Sequence, residues 1–146
     1  MFNETEIGLK EEMCSYTFTA DSIIAFARQY DPQPFHLSEE GGRRSPFGRL
    51  IASGWQTGSL WMRMRVEHSK RIAAERAAKG LPPQWNGPSG GFTNLRWPRP
   101  VFPGDTVTYF TESVSKRPLA SRPGWGLIFS LNTGVNQDGD LVFAFD

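Results

Sequence analysis

The chain has 146 residues, of which 38% are hydrophobic, and this length predicts one domain over residues 1–146 with a buried core. Its formal net charge of +1 gives no electrostatic reason to expect nucleic acid or a membrane surface as a partner. A single cysteine excludes an internal disulfide, no apolar run approaches the ~20 residues that span a bilayer, and the polar first segment is unlike a signal peptide. We therefore expect a soluble cytoplasmic protein.

A short strand and a helix are the first elements predicted along the chain. Residues 15–19 alternate polar and apolar side chains, which is typical of a half-buried strand. Thr19 and Asp21 are candidate caps for the helix that follows. Pro32 and Pro34 end this helix, because proline lacks the amide hydrogen and clashes with the preceding turn. A second, short helix is predicted to begin after Ser38.

The longest segment without proline predicts one helix over roughly residues 54–79, which would be on the order of 39 Å long. Its first half is apolar on most sides, as expected for a helix that other elements surround. Its second half is charged and rich in alanine, so we expect it to project over the surface with His68 in solvent. Gly80 and Pro82 supply the stop.

Strands and tight turns are predicted from residue 90 onward. The Pro-Gly pair at 103–104 and the Asp-Gly pair at 138–139 are typical of turns. Alternating patterns predict strands at residues 91–97, 106–111, 127–131 and 141–145. This order of elements predicts an α+β fold in which an antiparallel sheet curls around the long helix.

Asp31 and His36 form the first candidate site. A carboxylate and an imidazole together can activate water or move a proton near neutral pH. Positions five apart on an extended chain face opposite ways, so the two groups converge only through a turn, which the sequence permits without demanding. Spacing alone favours a simple helix-ending turn with a packed histidine over an acid–base site.

Gly54 is the second candidate, at the start of the long helix. Its unpaired amide and the helix dipole could stabilise negative charge that develops on a carbonyl oxygen, and Ser53 is a plausible cap. Alternatively, Gly54 and Gly58 only let strands pass close to the helix. The sequence leaves both interpretations open.

Other kinds of site find little support. Two histidines and one cysteine without metal-ligand spacing argue against zinc. Ala52-Ser53-Gly54 lacks the first glycine of a nucleophile elbow, and residues 87–91 lack the lysine of a phosphate loop. We therefore expect neither a metal ion nor a cofactor.

Three sequence blocks resemble the MaoC-like dehydratases, the family of the (R)-specific enoyl-CoA hydratases. The blocks are YDPQPFH at 30–36, FGRLIASG at 47–54 and RWPRPVFPGD at 96–105, and their order and spacing match over nearly the whole chain. The resemblance implies a hot dog fold, in which an antiparallel sheet wraps a long central helix. It also implies a homodimer, in some members assembled further.

The activity that this resemblance implies is reversible addition of water to a trans-2-enoyl thioester, giving the (R)-3-hydroxyacyl thioester. Coenzyme A would enter only as part of the substrate. The family's catalytic aspartate and histidine fall on Asp31 and His36, and the glycine whose amide polarises the thioester carbonyl falls on Gly54. The hydroxyl residue that orients the aspartate falls on Thr57.

Two residues depart from the family pattern: Gln33 stands for the usual asparagine and Ser53 for a frequent histidine. Ser53, Trp55 and Thr57 flank Gly54 and are candidate substrate-binding residues. Trp55 and Trp97 could narrow an acyl pocket, although core packing is the favoured role of each.

The substrate and the reaction are left partly open by the sequence. Candidate ligands for carrier phosphates are Arg43, Arg44, Arg49 and Arg99. The acyl group, the choice between coenzyme A and an acyl carrier protein, and oligomer size beyond a dimer are not determined. A thioesterase on the same fold and a non-catalytic module that binds acyl thioesters are alternative functions.

Overall fold

A computed structural model describes residue 2, residues 4–83 and residues 87–146. The described residues form an α+β structure, as predicted. Its elements in chain order are β1 (Lys10–Thr17), α1 (Ala20–Tyr30), α2 (Pro34–Leu37), α3 (Glu39–Arg43), α4 (Gly54–Ala78), β2 (Thr106–Pro118), β3 (Gly126–Val135) and β4 (Leu141–Phe145).

The four strands form one antiparallel sheet in the order β1-β2-β3-β4. Both predicted turns are present, and glycine adopts a positive φ in each, 93° at Gly104 and 82° at Gly139. In the first turn, the Asp105 amide donates to the Phe102 carbonyl over 3.0 Å, and a glycine with positive φ at the third position is typical of a type II turn. These turns set the directions in which β2 and β4 begin.

One face of α4 packs on the sheet and the opposite face does not. Met64 is 8% exposed, and the hydroxyl of Tyr109 on β2 donates to the Thr57 carbonyl over 3.1 Å. Three large side chains on the other side of α4 are exposed: Trp55 at 55%, Met62 at 52% and Val66 at 45%. The expectation that the first half of the helix is covered on most sides is therefore wrong for the single chain. Among the described residues, no helix combines the length and the apolar character needed to cross a bilayer.

The second half of α4 is docked against β1 through His68. This side chain is only 4% exposed, so the expectation of a solvated histidine is wrong. Its Nε2 lies 3.6 Å from the Glu11 carboxylate, and its Nδ1 lies 2.8 Å from Arg71 Nη2. Because arginine only donates, Nδ1 must accept. The strand predicted to begin at residue 15 in fact begins at Lys10, so Glu11 lies within β1, where it contacts His68.

The strand predicted at residues 91–97 is only a fragment. Arg96 and Ala144 exchange two backbone hydrogen bonds, as do Thr93 and Asp146, but only the first pair forms a bridge. Between the two pairs, the segment that contains Asn94 has one residue more than β4. Asn94 has a φ of 54°, and the extra residue interrupts the ladder as a bulge does. The segment therefore runs antiparallel beside the end of β4 and carries Trp97 to the start of α4.

Candidate active site

Asp31 and His36 converge through a single turn of helix. Asp31 ends α1, where its amide donates to the Ala27 carbonyl over 2.9 Å. Pro34 then opens α2 at a position where its missing N–H costs nothing. This turn brings His36 Nε2 to 3.3 Å from Asp31 Oδ2. The geometric condition that the sequence left open is thus met.

His36 is held in one orientation by a backbone carbonyl. Its side chain is 6% exposed, and Nδ1 lies 2.7 Å from the Ile51 oxygen. Because a carbonyl oxygen only accepts, Nδ1 carries a hydrogen. In the neutral ring, Nε2 is therefore an acceptor that faces the Asp31 carboxylate. Two acceptors that face each other suit a shared proton, or a water molecule that donates to both.

The Asp31 carboxylate accepts hydrogen bonds on both oxygens. Ser53 Oγ donates to Oδ2 over 2.7 Å, and Gln33 Nε2 donates to Oδ1 over 2.8 Å. Partial burial raises the pKa of Asp31. The hydrogen bonds from Ser53 and Gln33 and the charge of His36 together lower it by more, so the pKa lies below its ordinary value of 3.8. The group is therefore a carboxylate at neutral pH.

The hydroxyl on Asp31 belongs to Ser53, whereas the resemblance placed the orienting hydroxyl at Thr57. Among the described residues, the side-chain partners of Asp31 are Ser53, Gln33 and His36. Thr57 is 1% exposed and lies one turn further along α4, where its carbonyl accepts from Tyr109. Ser53 is itself 0% exposed, so of the three candidate substrate-binding residues only Trp55 is open to solvent.

Gly54 is needed because an indole ring packs on it. A Cβ at this position would lie 2.5 Å from Trp97 Cε2, and Trp97 Nε1 donates to the Gly54 carbonyl over 2.9 Å. At Gly58 a Cβ would lie 3.6 Å from the Phe143 ring, which is an ordinary contact. Close passage of strand backbone therefore requires glycine at neither position. The Trp97 side chain requires it at Gly54, and among the described residues nothing in contact requires it at Gly58.

The start of α4 presents an amide beside the acid–base pair. Ser53 Oγ accepts from the Trp55 amide over 3.2 Å, which confirms Ser53 as the helix cap. Within the described part of the chain, the Gly54 amide has no hydrogen-bond acceptor. An unpaired amide at a helix N-terminus is a site for negative charge, so the steric need for glycine beneath Trp97 is compatible with a role for its amide.

Trp55 and Trp97 form an exposed aromatic pair at this helix start. Their ring centroids are 5.4 Å apart in an edge-to-face arrangement, and the side chains are 55% and 39% exposed. Core packing, the favoured role for both, is therefore wrong in the single chain.

Most of the arginines suggested for carrier phosphates already have carboxylate partners. Arg43 and Arg44 pair with Glu40, and Arg99 pairs with Asp140. Arg49 instead lies over the Phe102 ring, 4.5 Å from its centroid. The described residues contain no group of three or more histidine, cysteine, aspartate or glutamate side chains that could hold a metal ion.

An antiparallel sheet packed against one long helix, with the elements in the observed chain order, is the hot dog fold. Solved structures of similar shape share this fold. The chain belongs to the MaoC-like domain family, whose model matches residues 3–123.

The chain is also similar to solved structures and to a curated protein. The chain is 32% identical to the MaoC-like dehydratase from Rhodospirillum rubrum, with a TM-score of 0.76 over 98% of this chain and 90% of that one. It is 26% identical over 141 residues to the uncharacterized protein YdeM of Bacillus subtilis (strain 168), covering 97% of this chain and 91% of the relative. R-hydratase PhaJ1 from Pseudomonas aeruginosa is 24% identical, with a TM-score of 0.61 over 99% of this chain and 80% of that one, and supports the fold alone.

Proposed function

We propose that this protein is a carbon–oxygen lyase that adds water reversibly to a trans-2-enoyl thioester, giving the (R)-3-hydroxyacyl thioester. The observation that carries the proposal is the Asp31–His36 pair, with 3.3 Å between the carboxylate and the imidazole, next to the unpaired amide of Gly54. Membership of the MaoC-like family supports hydratase-type chemistry broadly. An acyl-CoA is the substrate that we propose.

The acid–base pair would hold and activate the attacking water. A water molecule that donates to the Asp31 carboxylate and to His36 Nε2 would direct a lone pair outward, toward carbon 3 of the enoyl group. As its oxygen bonds to carbon 3, one proton passes to the pair and is delivered to carbon 2, while the other stays on the new hydroxyl. The low pKa of Asp31 keeps the base ionised at neutral pH.

The amide of Gly54 would stabilise the charge that this addition creates. Attack at carbon 3 moves electrons through carbon 2 onto the thioester oxygen. An amide hydrogen at a helix N-terminus, oriented before the reaction, binds this oxygen more strongly as its charge grows. All the groups used belong to the chain or to the substrate, so the proposed reaction needs no further cofactor.

Substitution of the pair tests the proposal. Asp31→Asn and His36→Ala should each lower kcat/KM for crotonyl-CoA by roughly 10²–10⁴-fold, the usual contribution of a positioned acid or base. The assay follows loss of enoyl absorbance, with circular dichroism to verify folding. Asp21→Asn is the matched control, because Asp21 is exposed on the same helix and should leave the rate unchanged.

The products separate this reaction from the other two functions. Release of free thiol would indicate a thioesterase, and saturable binding without turnover across enoyl chain lengths would indicate a binding module. Full activity in both Asp31→Asn and His36→Ala would show that the pair is not catalytic.

We also propose that the protein is a homodimer. Trp55, Met62 and Val66 lie on one side of α4 that neither the sheet nor another helix covers, and a second copy of the chain would bury them. Light scattering should give about twice the chain mass of 16.4 kDa. A monomer at micromolar concentration would contradict this.

A further inference from the structure

We propose that Ser53 is a positioning residue that fixes Asp31 to the N-terminus of α4 by donating its hydroxyl hydrogen to the carboxylate. The inference rests on the proposed function, because Asp31 is there the base. Ser53 Oγ lies 2.7 Å from Asp31 Oδ2 and 3.2 Å from the Trp55 amide nitrogen.

The direction of each hydrogen bond follows from what each group can donate. The Trp55 amide only donates, so the serine oxygen accepts from it. A carboxylate only accepts, so the single hydroxyl hydrogen of Ser53 goes to Asp31. Amide, hydroxyl and carboxylate thus form a chain of hydrogen bonds in one direction, in which each bond polarises the next. Ser53 is 0% exposed, so bulk water does not compete for these bonds.

The hydroxyl links two helix ends that are distant in sequence. Asp31 closes α1 and Ser53 opens α4, and the bond between them spans 22 positions. Gly54 follows Ser53 directly, so the link also sets how far the carboxylate lies from the amide proposed to bind the thioester oxygen. A base and a carbonyl donor that act on one substrate need such a fixed separation.

The same segment also orients the histidine. The carbonyl of Ile51, two residues before Ser53, accepts from His36 Nδ1. The segment itself is anchored, because the Ile51 amide donates to the Phe35 carbonyl and the Ala52 amide to the Val101 carbonyl. Residues 51–54 therefore orient the imidazole, hold the carboxylate and present the free amide. Ser53 is the position in this segment where the sequence departs from the family pattern.

A helix cap alone would not need the contact with Asp31. Capping requires only that the serine oxygen accept from Trp55, and it leaves the hydroxyl hydrogen free to point anywhere. The two roles predict different pH behaviour. A donor to the carboxylate stabilises its ionised form, so loss of that donor raises the pKa of Asp31, whereas loss of a cap does not.

The experiment compares Ser53→Ala with Ser53→Thr and with Ser38→Ala. Ser38 caps α3 by accepting from the Gly41 amide, so Ser38→Ala removes a cap by the same chemical change without touching Asp31. Two readouts are used: the pH profile of kcat/KM with crotonyl-CoA, and titration of the Asp31 carboxyl carbon by NMR in the labelled protein.

Ser53→Ala should lower kcat by about tenfold or more, as expected when a hydrogen bond to a charged group is lost, with KM little changed. The acid limb of its pH profile should move to higher pH, because activity needs ionised Asp31 and its pKa has risen. Ser53→Thr should restore both properties, and Ser38→Ala should match the parent protein in both. Should Ser53→Ala not fold, Ser53→Cys, a weak donor of similar size, should move the acid limb in the same direction.

An unchanged acid limb and an unchanged Asp31 titration in a folded Ser53 variant would overturn the inference and leave Ser53 as a cap only. The NMR titration keeps this outcome separate from failure of the proposed function. If the parent protein hydrates no enoyl thioester, the proposed function fails, while the titration of Asp31 still decides whether Ser53 holds the carboxylate.

Discussion

Substitution of Gly54 and Gly58 by alanine should change stability in opposite directions. At Gly54, the new Cβ would lie 2.5 Å from Trp97 Cε2, whereas carbon atoms in contact lie about 3.5–4.0 Å apart. The indole must therefore move by about 1 Å or more. That movement weakens the 2.9 Å hydrogen bond from Trp97 Nε1 to the Gly54 carbonyl, which contributes about 1 kcal/mol.

Overpacking of this kind costs about 1–3 kcal/mol, so we expect Gly54→Ala to lower the free energy of unfolding by about that amount. Gly58 lies inside α4, where alanine is favoured over glycine by about 1 kcal/mol. A Cβ there meets the Phe143 ring at 3.6 Å, which is no clash. Gly58→Ala should therefore raise the free energy of unfolding by about 1 kcal/mol, and the two variants should differ by about 2–4 kcal/mol.

Urea unfolding followed by far-ultraviolet circular dichroism measures this difference. All proteins should be compared at one concentration, because self-association adds to apparent stability. Equal m-values would show that a shift in the urea midpoint reports a change in stability. The cost of Gly54→Ala should shrink in a Trp97→Ala background, where the clashing ring is gone. A Gly54→Ala protein as stable as Gly58→Ala would refute the argument that the indole requires glycine.

Two further predictions concern α4. Burial lowers the pKa of His68 below 6.5, and Arg71 and Arg65 on the same helix lower it too, whereas Glu11 on β1 raises it. Below pH 6.5 the folded state therefore binds fewer protons than the unfolded state. The stability present above this pH is lost as the pH falls through the lower pKa of the folded protein. His68→Gln, which keeps a donor and an acceptor, should weaken this loss in urea titrations between pH 7 and 5, and identical pH dependence in both proteins would contradict it. Met62→Glu places a charge on the exposed side of α4 that carries Trp55 and Val66, and it should halve the mass measured by light scattering. An unchanged dimer would place the interface elsewhere.

Local features of the fold were predictable because their causes are local. Ser53 caps α4 as expected, and α4 ends at Ala78, one residue before the predicted end at residue 79. Thr19, rather than Asp21, caps α1 by a reciprocal bond with Ser22. Each of these elements depends on residues within a few positions of one another, which the sequence displays directly.

Residues whose surroundings come from distant parts of the chain were predicted poorly. His68 was assigned to solvent because its neighbours in sequence are charged, yet Glu11 and the start of β1 bury it. Trp55 and Trp97 were assigned to the core because they are large and apolar, yet only one face of α4 meets the sheet. Exposure is decided by which elements pack together, and a helical pattern does not contain that information.

The candidate site divides in the same way. By itself, the sequence determined the chemical groups, Asp31 and His36, and the glycine at the helix start, because their types and order match a known family. Only the tertiary structure decided that one turn of α2 brings the carboxylate and the imidazole together, and that Ser53, 22 positions away, donates to the carboxylate. Hydrogen bonds act over about 3 Å, so contacts between distant residues exist only once packing has placed the helix ends side by side.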